Sequence, residues 1–144
     1  MTMEEVEYRT PNGLHDAYLK GFSVDYETAT LSLEIEWFVE VLQEKTAEQE
    51  SIWKRGTLVI KGLEYFVIEP PRNALKDLSD FAPDQMQGYG TTDREVASKG
   101  LPGVSDNAFR HSLYLGYWES FIHFAGTSAE VSPTELLVRE MGAE

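Results

Sequence analysis

Between residues 31 and 39 the chain alternates. Leu31, Leu33, Ile35, Trp37 and Val39 fall on one parity, and Ser32, Glu34 and Glu36 on the other. A period of two is the mark of a strand with one buried and one hydrated face. This strand is expected over residues 30–42, after a first strand over 17–24 and a polar turn over 25–29. In the first strand Tyr18, Phe22 and Val24 share a side. Lys20 falls among them, where its stem can lie along a sheet margin and carry the charge to water.

The same pattern continues downstream. Residues 52–60 read as a strand that Gly62 breaks, and residues 63–69 (LEYFVIE) as a strand touched on both faces. Pro70 and Pro71 stop it, since proline cannot donate to a ladder. Leu75, Leu78 and Phe81 have helical spacing, residues 80–90 read as loop, and Thr92 with Glu95 forms a capping-box pattern ahead of Gly100. Residues 111–117 and 121–125 return to alternation, joined by a tight connection at 117–119. A last strand is expected near Glu130. After it the signals compete: Ser132, Pro133 and Glu135 suit a helix start, whereas Leu136, Leu137 and Val138 suit an edge strand. Residues 4–10 read as a short lead-in strand or a frayed end, before a turn at Pro11, Asn12 and Gly13.

Six to eight strands and one or two short helices make the fold class mainly β. The expected architecture is a mostly antiparallel two-layer sandwich, or one strongly curved sheet, in a single domain over residues 1–144. The non-strand excursion over 70–109 is long for a compact domain and is therefore a candidate binding surface.

Composition narrows the function. Twelve Lys and Arg stand against 25 Asp and Glu, a net charge of −13. Such a surface repels nucleic-acid phosphate and anionic membrane and attracts basic proteins. The chain has no cysteine, which removes disulfides and thiolate chemistry. The first residues lack an apolar run, so a cytoplasmic location is expected.

Candidate chemistry is sparse. His15 stands beside Asp16 and is read first as a structural histidine at the strand entry, second as a polar or catalytic site. His111 and His123 sit on successive strands and lack a clear third ligand, so no metal is expected. There is no HExxH, no GxSxG elbow and no phosphate-binding glycine loop, and no cofactor is expected. Glu34, Glu36 and Glu40, with Glu44, Glu48 and Glu50 beyond, form an acidic strip suited to a partner. Tyr89 and Trp118 are candidate aromatic anchors.

At residues 14–35 (LHDAYLKGFSVDYETATLSLEI) the sequence resembles a loose, largely uncharacterised group of small bacterial proteins. The resemblance rests on His15, Asp16, Ala17 and Asp25. Residues 120–131 (SFIHFAGTSAEV) are similar in style to the closing strands of that group. Some members resemble immunity proteins of polymorphic toxin systems. The resemblance implies a β-rich domain and, for those members, toxin binding. It implies no catalytic residue.

The functional expectation is thus a non-enzymatic acidic protein-binding domain that neutralises a basic toxin or enzyme. Its alternatives are a small-ligand protein or enzyme with a site near His15 and Asp16, and a structural or self-assembling component such as a homodimer.

Overall fold

Among the described residues eight strands form two four-stranded sheets, and every ladder between them is antiparallel. The computed structural model describes residues 1–10, 13–41, 51–70, 85–91, 100–116 and 118–138; of residues 40–41, 51–52 and 87–91 it describes the backbone alone. The first sheet holds β1 (Tyr18–Asp25), β2 (Thr30–Val41), β3 (Ser51–Lys61) and β8 (Ser128–Ser132), in the order β1-β2-β3-β8. The second holds β4 (Tyr65–Ile68), β5 (Met86–Thr91), β6 (Phe109–Leu115) and β7 (Ser120–Gly126), in the order β4-β7-β6-β5. The two-layer, mainly β architecture is the one the alternation implies.

The alternation of β2 has a direct physical cause. Leu31, Leu33, Ile35 and Trp37 are fully buried, in one core with Leu58 and Ile60 of β3 and Leu113, Ile122 and Phe124 of the second sheet. Each such side chain contributes about 1.5–3 kcal/mol when withdrawn from water, an upper figure because unfolded chains already bury some apolar surface. A one-residue slip of β2 would put this row in solvent and its glutamates in the core.

The chain passes between the sheets twice at one corner, from β3 to β4 and from β7 to β8. Gly62 is required there. Its φ of +62° lies in the left-handed region, and a Cβ would collide with Thr127 Oγ1. Thr127 N–H donates to the Lys61 carbonyl at 2.9 Å, and Glu64 N–H to the Ala125 carbonyl at 2.8 Å. These bonds tie the two crossings together.

Several elements differ from the sequence reading. Residues 4–10 are neither a strand nor frayed: Met3–Arg9 is a helix, α1. Thr2 and Glu5 form its capping box, and Met3 and Val6 are buried against the core. The excursion over 70–109 is not strand-free, because residues 86–91, read as the end of a loop, form β5. In β1 a bulge between Leu19 and Gly21 shifts the register. Tyr18 therefore leaves the side it was expected to share with Phe22 and Val24, and lies opposite Glu36. The competing tail signals resolve into β8 followed by a 3-10 turn at Thr134–Leu136, whose Leu136 is buried. The helices expected near residues 75–81 and 92–99 lie outside the described residues. Among the described residues no helix is long and apolar enough to cross a membrane.

Candidate functional site

The hydrated face of β2 carries the first candidate. Glu34 lies opposite Thr57 of β3 and accepts its hydroxyl at 3.0 Å. Glu36 lies opposite Arg55, whose guanidinium is 3.6 Å from its carboxylate. Of the expected acidic strip, Glu34 and Glu36 share this face, and β3 answers them with a hydroxyl and a cation. Beside it lies an aromatic group that sequence reasoning missed. Trp53 of β3 meets the rings of Tyr18 and Phe38 at 5.1 and 5.3 Å between centroids, and the Lys20 ammonium lies 5.0 Å from the Tyr18 ring. The signal for it was the cross-strand pairing of Phe38 with Trp53, once the β2–β3 register is known. Glu40 belongs to β2, paired with Ile52 beyond a bulge at Phe38/Glu40, so the clean alternation ends at Phe38. Glu44, Glu48 and Glu50 lie outside the described residues.

His15 and Asp16 occupy the turn before β1, not the strand. Their side chains are 3.7 Å apart and about half exposed, with Asp16 at a φ of +63°. Gln85 donates to Asp16 at 3.5 Å, a long contact that adds little. His15 thus stands half-exposed in the turn at the strand entry.

The other two histidines are buried, and a sheet separates them. His111 lies opposite Phe124 on the core side, whereas His123 lies opposite Ser112 on the far side. His111 Nε2 is 2.9 Å from Glu7 Oε1, which joins α1 to β6. His123 is the centre of a chain of three. Its Nδ1 is 2.7 Å from Ser112 Oγ, and its Nε2 is 3.0 Å from Glu69 Oε2. The other Glu69 oxygen accepts the Phe121 N–H at 3.1 Å. A serine, a histidine and a glutamate in line have the composition of a hydrolytic triad. Here Ser112 and His123 are only 6% and 3% exposed, and neither lines a described cleft. The geometry braces β4 against β7. Among the described residues no group of three acidic or histidine side chains is placed to hold a metal.

The remaining candidate is the seam where the two sheets meet edge to edge. β1 is bridged to Gln85 at Tyr18, and past its bulge it faces β4 in opposite order, residues 19–22 near 68–69 and residues 24–29 near 63–66. Phe22 meets Phe66 edge-on at 5.0 Å, and the Leu63 N–H donates to the Ala29 carbonyl at 2.8 Å. Among the described residues no ladder joins the two strands. One cleft opens on each side of the Phe22–Phe66 contact. The first, about 250 Å³, is bounded by Leu19, Phe22, Ile68, Leu115, Trp118 and Ile122, with Lys20 and Glu69 at its rim. The second, about 370 Å³, is bounded by Val24, Tyr26, Leu63 and Tyr65, with Asp25 and Glu64. Phe22 is 48% exposed, Ile68 47% and Tyr26 94%. These are three of the six large apolar side chains exposed among the described residues, so the seam gathers them.

The seam is also acidic. Among the described residues, Asp25, Glu64 and Glu69 border it against Lys20. Glu64 accepts the Ser105 hydroxyl and, at 2.8 Å, the Ser105 N–H. The hydroxyl first, and then the amide, hold its carboxyl below the usual glutamate range, so it stays ionised. Trp118, expected as an aromatic anchor, lies in the β6–β7 turn at this cleft. Tyr89 lies in β5, paired with Leu113.

No family model matches the chain, and no curated protein matches it. Among solved structures, an uncharacterized protein from Neisseria gonorrhoeae is similar at 11% identity. The match covers 83% of this chain and 92% of that one, and its TM-score of 0.42 is too low to bear on function.

Proposed function

We propose that this chain is a non-enzymatic protein-binding domain with a positively charged partner. The observation that carries the reading is the gathering of exposed apolar side chains beside carboxylates along the β1–β4 seam. Apolar anchors within a charged rim are the anatomy of a protein interface. The net charge of −13 adds long-range attraction for a basic surface. Glu34 and Glu36 belong to that attraction more than to the anchor, since Thr57 and Arg55 already face them. Charges in such positions act on the association rate. A basic toxin or enzyme is the partner class that the sequence resemblance adds. His15 and Asp16 line neither cleft, which lends the small-ligand alternative no support.

The test is capture of the partner from the source cell, identification, and reconstitution from two purified proteins. Phe22→Ala with Ile68→Ala is expected to speed dissociation about tenfold or more. Glu34→Lys with Glu36→Lys is expected to slow association and flatten its salt dependence, with dissociation little changed. Equal dissociation rates for the seam variant and the wild type would remove the seam from the interface. A captured protein that fails to bind once purified would remove the function.

A further inference from the structure

We infer that the seam receives an extended strand of the basic partner, which adds to the outer edge of β4 and lays alternate side chains toward the two clefts. This rests on the protein-binding reading and specifies how the partner enters. Glu69 N–H donates to the Phe121 carbonyl across the β4–β7 ladder. Antiparallel pairing alternates, so two residues along, Val67 also faces β7, whereas Phe66 and Ile68 turn their N–H and C=O groups away from it. Among the described residues no strand pairs with that edge. An open edge is a template for another chain.

Three features favour this occupant. The seam lies between two strands whose residues face each other in opposite order, 19–22 near 68–69 and 24–29 near 63–66, a frame that fits a strand better than a helix. The clefts on either side of Phe22 and Phe66 offer apolar ground for side chains of one parity. The border carries Asp25, Glu64 and Glu69 against Lys20, which calls for lysine or arginine at the alternate positions. A second copy of this chain would bring its own −13 charge to an already acidic seam.

The test uses the whole 15N-labelled chain and three peptides: acetyl-KVKVKVK-amide, acetyl-EVEVEVE-amide and acetyl-KVKPKVK-amide. At saturation the first is expected to slow amide exchange at Phe66 and Ile68 about tenfold or more, because only an added strand gives those groups partners. The acidic peptide is expected not to bind, and the proline peptide not to protect these amides. Phe22→Lys is expected to weaken the basic peptide about tenfold; the exchange readout on the wild type does not depend on how that variant folds. Unchanged exchange at Phe66 and Ile68 under saturating basic peptide overturns the inference. So does equal binding of the acidic peptide, or sedimentation showing that a second copy protects these amides. If the basic peptide does not bind while the purified partner does, strand addition is overturned and protein binding stands. If neither binds, both fall.

Discussion

Replacing Glu69 by glutamine tests the hydrogen-bond logic that holds one wall of the seam. A carboxylate only accepts, so His123 Nε2, 3.0 Å from Glu69 Oε2, carries hydrogen. In the neutral ring Nδ1 then accepts, and the Ser112 hydroxyl, 2.7 Å away, donates to it. Glu69→Gln keeps an acceptor for the Phe121 N–H but turns an NH2 group toward His123. The ring answers by exchanging tautomers: Nδ1–H donates to Ser112 Oγ, and Nε2 accepts from the amide. The contacts to His123 and Phe121 are kept and the Ser112 hydroxyl turns from donor to acceptor, so the cost is about 0.5–1.5 kcal/mol, the difference between a charged and a neutral hydrogen bond. Glu69→Ala removes both acceptors. Two bonds to an ionised group, discounted because the side chain is a quarter exposed, cost about 2–3 kcal/mol. In a chain of this length that is a fall in Tm of roughly 4–12 °C. Urea titration reads the stability through the midpoint, with the slope unchanged, and the ring 15N shifts of His123 read the tautomer. Hydrogen on Nδ1 alone in wild-type His123 would refute this assignment. So would a Glu69→Gln variant that costs as much as Glu69→Ala and leaves the tautomer unmoved.

Two further predictions concern other contacts. A Cβ at Gly56 would sit 2.5 Å from Leu136 Cδ1 and 2.9 Å from the Ser132 carbonyl oxygen; Gly56→Ala is expected to cost about 1–3 kcal/mol in urea titration. Adding Leu136→Ala clears the Leu136 clash but leaves the carbonyl and the Trp37 ring, 3.2 Å away, so the double variant should lose less than the two single losses combined. Ser105 lowers the Glu64 pKa, so its support for the 100–108 loop is present at neutral pH and is lost as pH falls through the lowered value. In an NMR titration Ser105→Ala should raise the Glu64 midpoint toward that of an ordinary glutamate; an unmoved midpoint would reject the tether.

The legible part of this fold is the part whose residues face one environment. β2 reads directly because its apolar row meets a continuous core and its polar row meets water. β1 reads in the wrong phase because Lys20 sits at a bulge, and one unpaired residue inverts the parity on its two sides. α1 is announced by Thr2 and Glu5, but seven residues with four charges among them give too narrow an apolar face to declare a helix. The site was harder for a topological reason. Ser112 and His123 are hairpin neighbours, recoverable from a turn near residues 117–118, but Glu69 joins them through the non-local β4–β7 pairing. The seam depends on the same kind of fact. Phe22 and Phe66 belong to different sheets, and nothing in the local pattern of either strand says that the other lies beside it.

Salt separates the occupants that an open, acidic edge invites. For a basic strand, attraction by the −13 charge adds to the apolar contact. For a second copy, the same charge opposes it. Raising ionic strength from 0.1 to 1 M shortens the screening length from about 10 to about 3 Å. Association with the basic partner should therefore slow about tenfold or more, while dissociation, set by Phe22, Ile68 and the β4 backbone, changes little. Self-association should respond with the opposite sign, since screening removes the repulsion and leaves the apolar contact. Stopped-flow association rates and sedimentation over one salt series read both responses in the same protein. A partner whose association rate is flat with salt is not drawn by this charge. A chain that dimerises at high salt with Phe66 and Ile68 protected has filled the seam with itself.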